Sequence, residues 1–260
     1  MKKQLQLLAL SLVFAACAHQ VGDMEHGEKS HAKGHGAHWT YGGETGPMHW
    51  GDMSEQFAAC KNGMAQSPIN ITQTTPANLP ALETGYQAVG LDLINNGHTL
   101  QLNTAGAGSV KIGEDRYELL QFHFHLPSEE QINGENYDLV AHLVHKNQKG
   151  ELGVVAVLFK EGEENPFLAN FWDKLPTEAG GKFADAAVLI NPMELLPSDL
   201  GYFGYMGSLT TPPCSEGVHW HVLKTPVSIS AAQKAAFAKL YHGNNRPVQP
   251  LNGREVKASM

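Results

Sequence analysis

The segment QFHFHLPSEE, residues 121–130, places histidines at 123 and 125 and phenylalanines at 122 and 124. In an extended chain, residues two apart share a face. His123 and His125 then stand side by side, and Phe122 and Phe124 turn the other way into apolar packing. The same period-two texture runs back to Arg116 and recurs in YDLVAHLVH (137–145), LGVVAVLFK (152–160) and VHWHVLKTPVSIS (218–230). In LDLINNGHTLQL (91–102), Asn95-Asn96-Gly97 marks a turn between two further short strands. Pro226 marks an edge or a bend. Helical signals are few. Asn165-Pro166 starts a short helix predicted to run through Trp172, and Ser230 caps another predicted to reach about Tyr241. No internal repeat is present. The expectation is a mostly β, single-domain protein of the α+β kind, with a few short peripheral helices.

Composition sets the outer bounds. The chain has 260 residues, 42 % of them apolar, which is enough for one large core. A formal net charge of -8 argues against a nucleic-acid partner. MKKQLQLLALSLVFAACAHQ (1–20) reads as an export signal, with Lys2 and Lys3 ahead of an apolar run, Leu5 to Ala16, that is too short to span a bilayer. Cleavage before a lipid-bearing Cys17 and ordinary cleavage after Ala18 are both compatible with it. The location read from this leader is exported, either periplasmic or lipid-anchored at the cell envelope. Residues 19–37 are polar and Gly-containing, with His19, His26, His31 and His35, and read as a flexible spacer. Loose metal capture is the sharper alternative for this tract. The folded body is expected at 38–260. It retains two cysteines, Cys60 and Cys214, which in an oxidising compartment most simply pair. Such a bridge contributes roughly 5 kcal/mol in the chain-entropy picture. Two buried free thiols are the alternative.

Two imidazoles on one face raise the question of a third ligand. In YDLVAHLVH, His142 shares a face with Val140 and Val144. If that strand pairs beside residues 121–126, three imidazoles converge. Three neutral nitrogens with one open position form a catalytic zinc arrangement, whereas structural zinc sites are closed by four protein ligands. No Cys-x-x-Cys or His-Glu-x-x-His occurs, so zinc-finger and common metalloprotease readings lose support. On spacing alone, ordinary core histidines remain the alternative.

QFHFHLPSEE, AHLVHKN, GSLTTPPCSEGVHW, NNGH, QSPINI and NNRPVQPLNGREVKAS resemble motifs of the α-class carbonic anhydrases, and along the chain they follow the family's order at similar spacing. The resemblance covers about Trp39 to the C-terminus. It implies a large, twisted, mainly antiparallel sheet of about ten strands and a Cys60–Cys214 bridge like that of bacterial members. It further implies zinc-dependent, reversible hydration of CO₂ to bicarbonate, with His123, His125 and His142 as ligands. By the same resemblance Thr210 orients the reactive hydroxide and donates its own proton to Glu129, since an ionised carboxylate can only accept. Val144, Val154, Leu209, Thr211 and Trp220 match the substrate pocket. Tyr41, Asn96, Gln101 and Gln121 match groups that order water or support the ligands. His98, in NNGH, matches the proton shuttle, a role suited to an imidazole that titrates near neutrality. Bacterial members are often dimers, so a homodimer is the expectation by analogy. The rival reading is a non-catalytic zinc-binding or carrier protein on the same fold.

One departure from the family pattern stands out. Two residues before the third ligand the family usually carries a glutamate that accepts the far N–H of that imidazole; here the position is Val140. The family's Ser-Glu-His is Ser128-Glu129-Glu130 in this chain. The expectation is that Glu130 supplies the displaced carboxylate, braced by Tyr205. A water or a backbone carbonyl on His142 is the alternative.

Overall fold

The computed structural model describes residues 37–260. The export signal (1–18) and, apart from Ala37, the tether (19–37) lie outside the described residues.

A sheet of 13 strands dominates the fold. Ten strands form one continuous row, in the order Lys182–Ile190, Val89–Asn95, Leu100–Asn103, Asp115–His125, Leu139–Asn147, Leu152–Glu161, Glu216–Leu223, Tyr202–Ser208, Lys257–Ser259 and Thr75–Ala77. Leu82–Tyr86, Gly108–Ile112 and Val227–Ile229 pair off this row. Most neighbours are antiparallel. Leu152–Glu161 runs parallel to Glu216–Leu223 and to Val227–Ile229, and Lys257–Ser259 runs parallel to Thr75–Ala77. A small second sheet joins Asn70–Ile71, Gln131–Ile132 and Glu135–Asn136.

The strands predicted around residues 91–102, 116–126, 137–145, 152–160 and 218–230 all form. The outer strand Lys182–Ile190 carried no comparable signal. It pairs on one side only and is mostly half-exposed or exposed, so nothing forces apolar residues into alternation along it. Both predicted helices are shorter than expected. Asn165 accepts from the Leu168 N–H and Pro166 occupies the first position, yet the helix ends at Ala169. Phe171, at φ −145°, leaves helical space, which lets Phe167, Leu168, Phe171 and Trp172 all reach the core. The second helix, Ala231–Ala238, begins with a reciprocal Ser230–Gln233 cap. It stops short of Tyr241 in a turn where the Leu240 and Tyr241 N–H groups both donate to the Phe237 carbonyl.

The two faces of the central strands have different fates. Phe122, Phe124, Leu143, Val155 and Val157 belong to the main apolar core. On the opposite face, Val140, Val154, Ala156, Leu158, Tyr205 and Trp220 form a smaller apolar cluster beside the histidines. Register sets the rows on that face: His142 lies opposite His123, Val140 opposite His125, and Val144 opposite both Gln121 and Val154. Val154 pairs with Trp220, and Trp220 with Tyr205. A third apolar cluster gathers Trp50, Phe57, Cys60 and Cys214. The Cys60–Cys214 disulfide is present, with its Cα atoms 5.0 Å apart, and ties the short helix Ala59–Asn62 to the loop that follows Thr210.

Candidate metal centre

Strand pairing brings together the three histidines that the sequence separates. One ring nitrogen from each of His123, His125 and His142 lies within 4.8 Å of the others. The remaining nitrogen of each ring has its own acceptor. His123 Nδ1 is 2.9 Å from Gln121 Oε1, and His125 Nδ1 is 2.7 Å from the Asn244 carbonyl oxygen. His142 Nε2 is 3.1 Å and 3.2 Å from the two Glu130 carboxylate oxygens. Each outer nitrogen therefore carries the proton and donates it, leaving a lone pair on the inner one. Burial, with His142 beside it, lowers the His123 pKa to about 3, and burial likewise holds His125 well below its ordinary value. For His142 burial acts downward, but Glu130 and Glu129 outweigh it and the net shift is upward.

Two buried carboxylates flank the cluster. Glu129 Oε1 accepts the Arg246 backbone N–H at 2.7 Å. Its Oε2 is buried without a hydrogen-bond partner, 3.5 Å from His125 Nε2 and 3.8 Å from His142 Nδ1. Burial pushes Glu129 up to about 7; His142 and the Arg246 N–H pull it down, and Glu130 pushes it further up. Thr210 is buried with its hydroxyl beside Glu129. Among the described residues no lysine or arginine side chain forms an ion pair with either carboxylate, and the Arg246 guanidinium is spent on Gln66, Ser67 and Cys60.

These features fit a divalent metal ion. Three imidazole nitrogens lie close together, and His125 Nε2 is a buried polar atom without a hydrogen-bond partner. Neither buried carboxylate has a lysine or arginine in ion-pair contact, a costly arrangement unless a cation is supplied. His123, His125 and His142 would hold the ion, and a tetrahedral site with three protein ligands leaves the fourth vertex open.

The other predicted residues divide between a polar cavity and an apolar cluster. A cavity of about 130 Å³ is lined by Trp39, Tyr41, Asn96, His98, Thr99, Gln101, Gln121, His123, His125 and Thr211. It puts the water-ordering candidates and His98 in one space with two of the histidines. Asn96 Nδ2 donates to Gln101 Oε1 at 3.4 Å. The His98 ring stacks on Trp39 at 3.6 Å, and burial together with His38 lowers its pKa. The Tyr41 hydroxyl is buried without a hydrogen-bond partner. On the apolar side, Val154 and Trp220 are buried and Val144 and Leu209 pack against them, with the Trp220 ring 4.9 Å from that of His142. Tyr205 is buried near Glu130, but its hydroxyl pairs with Ser67 Oγ at 3.3 Å.

Sequence reading gave no role to Asn244, whose contacts reach across the site. Its carbonyl holds His125, its Oδ1 accepts the Leu126 N–H, and its Nδ2 donates to the Phe124 and His98 carbonyls. The main-chain carbonyl that holds His125 leaves no side-chain signature. The polar pair Asn244-Asn245 ahead of buried Arg246 was the available hint.

Three histidines placed to hold a metal on the face of a large, mainly antiparallel sheet define the class. The eukaryotic-type carbonic anhydrase family matches residues 45–260. A carbonic anhydrase of Klebsiella pneumoniae is 48 % identical over 226 residues, covering 85 % of this chain and 90 % of the relative. The α-carbonic anhydrase of Thermovibrio ammonificans, solved with the inhibitor sulfanilamide, superposes with a TM-score of 0.83 at 46 % identity, covering 85 % of this chain and 99 % of the other. Dioscorin DB3L of Dioscorea polystachya is 39 % identical over 226 residues, 83 % of each chain. The chain belongs to the eukaryotic-type, or α-class, carbonic anhydrase family and is an enzyme of that class.

Proposed function

We propose that the protein hydrates CO₂ reversibly to bicarbonate and a proton, using zinc held by His123, His125 and His142. The observation that carries this reading is the set of three inward ring nitrogens, each with its outer nitrogen already committed to an acceptor. Zinc at such a site lowers the pKa of a bound water so that a hydroxide nucleophile exists near neutrality, a property for which carbonic anhydrase is itself the reference case.

The chain's own groups direct the rest. Glu129 has Oε1 fixed by the Arg246 N–H, and the Thr210 hydroxyl lies beside its carboxylate; we read that carboxylate as the acceptor of the Thr210 proton. That bond runs one way, because an ionised carboxylate only accepts. Thr210 then has only acceptor capacity left for a reacting hydroxyl, which sets the direction in which a lone pair points. Val144, Val154, Leu209 and Trp220 offer an apolar wall suited to an uncharged, apolar gas. Asn96, Gln101, Gln121 and Thr211 line a polar cavity together with His123, His125 and His98, through which water can carry a proton toward His98. We read His98 as the group that takes that proton and releases it to buffer.

Stopped-flow CO₂ hydration on metal-replete protein, before and after chelation, tests the proposal. One zinc per chain, turnover lost with the zinc and restored on its return are expected. Zinc-replete protein without turnover would favour the carrier reading instead. Export is part of the same proposal, supported by the leader pattern and by a disulfide that suits an oxidising compartment. The intact mass of the mature protein distinguishes lipidation at Cys17 from cleavage after Ala18.

A further inference from the structure

The three rings are not held alike. On their outer nitrogens, His123 and His125 meet the neutral oxygens of Gln121 and Asn244, whereas the outer nitrogen of His142 meets a carboxylate, with both Glu130 oxygens near-equidistant from Nε2. Glu130 and His142 are both buried. The Trp220 ring lies 4.9 Å from that of His142, Tyr205 is near Glu130, and the Arg254 guanidinium sits 5.9 Å from the centre of the Tyr205 ring without an ion pair to Glu130. Val140 is the same-face neighbour two residues before His142, and its side chain has no atom that could accept a hydrogen bond.

The mount for Glu130 is also specific. It follows the segment Leu126–Glu129 and immediately precedes Gln131–Ile132 of the small sheet. Ser128 Oγ donates to the Glu130 carbonyl at 2.7 Å and accepts the Tyr137 N–H at 2.9 Å. Asn136 Nδ2 donates to the Ser128 carbonyl at 2.6 Å. The backbone that carries the carboxylate is therefore pinned to the segment leading into the His142 strand.

Resting on the metal-site reading above, we propose that Glu130 is the positioning residue for His142: it fixes the ring and, as a buried anionic acceptor, makes His142 the strongest electron donor of the three ligands. An acceptor on the far N–H orients a metal-bound imidazole and raises its basicity, and a charged acceptor does so more than an amide or a carbonyl.

The test is zinc retention by the holoenzyme under chelator competition, with the visible spectrum of the cobalt(II)-substituted protein as a second readout. Glu130→Gln keeps the shape and one accepting oxygen but removes the charge; Glu130→Ala removes both. Metal affinity is expected to fall about 10–100-fold in Glu130→Gln, and further in Glu130→Ala. Gln121→Ala is expected to cost less than Glu130→Gln, and the cobalt spectrum should shift in both Glu130 variants. Far-UV circular dichroism of the metal-free proteins checks folding, and the near-isosteric Glu130→Gln decides the matter if Glu130→Ala does not fold. Zinc loss from Glu130→Gln at the wild-type rate, with an unchanged cobalt spectrum, overturns the assignment. A wild-type protein that holds no zinc at all overturns the metal reading instead.

Discussion

His142 and His145 lie on the strand Leu139–Asn147, both buried, yet their ring nitrogens are used differently. His142 commits Nε2 to Glu130 and keeps Nδ1 toward two other imidazoles. His145 commits both nitrogens: Nδ1 donates to the Gly153 carbonyl at 3.3 Å, and Nε2 accepts the Tyr86 hydroxyl at 2.7 Å. Burial lowers the His145 pKa to about 3, so it is a neutral core histidine with its hydrogen bonds made. Burial and residue type are the same at both positions. What separates a site from a packing element is whether one nitrogen remains unspent and whether others meet it at the same point. An offset of three residues puts the two rings on opposite faces of the sheet.

The contrast can be broken most severely on the metal-facing side. His125→Ala is expected to abolish both stoichiometric zinc binding and CO₂ hydration, measured by metal analysis and stopped flow, with the fold retained. Thr210→Val should keep the zinc and slow kcat/KM by about 10²–10³-fold, the scale of losing one directed hydrogen bond at a reacting centre. Full turnover in that variant would detach Thr210 from the chemistry. His145→Ala should do the reverse: a cavity and an unpaired Tyr86 hydroxyl cost on the order of 3 kcal/mol in denaturant unfolding, while zinc stoichiometry stays at the wild-type value. Metal loss in His145→Ala without loss of stability would erase the distinction between the two histidines. His98→Ala should cost about 10²-fold in turnover at low buffer and recover with added imidazole, and unassisted full activity would remove the shuttle role.

A surface pair beside the same strand gives the smallest expected effect. Asp138 bonds Lys234 at 2.6 Å. Burial alone would raise the Asp138 pKa, but Lys234 and the Glu161 N–H outweigh it and lower it. A depressed carboxylate contributes stability above its unfolded-state pKa and loses it as pH falls through the folded value. Asp138→Asn should therefore cost less than about 1 kcal/mol at neutral pH, and the gap to wild type should close on acidification. A gap that widened toward low pH would reverse the assignment of sign.

Much of this was readable before any coordinates. Alternation around His123 and His125 is a local property, fixed by strand geometry, and it put Phe122 and Phe124 in the core. The Ser230 cap was equally local. The strand Lys182–Ile190 escaped because an outer strand with much of its surface in water need not alternate. The helix from Pro166 ended early because four apolar side chains had to reach the core, a demand that overrides the start signal. Asn244 escaped because a backbone carbonyl looks the same in every residue.

By itself the sequence determined which residues could serve: the histidines, the adjacent carboxylates at 129 and 130, the apolar Val140 and the two cysteines. It settled these because side-chain chemistry and strand alternation depend on the chain within a few residues. Only the tertiary structure decided which histidines meet and which carboxylate faces which ring. Those relations depend on the register between strands and on a turn that brings Glu130 to His142, and inter-strand register is a long-range choice made when an entire sheet face is buried at once.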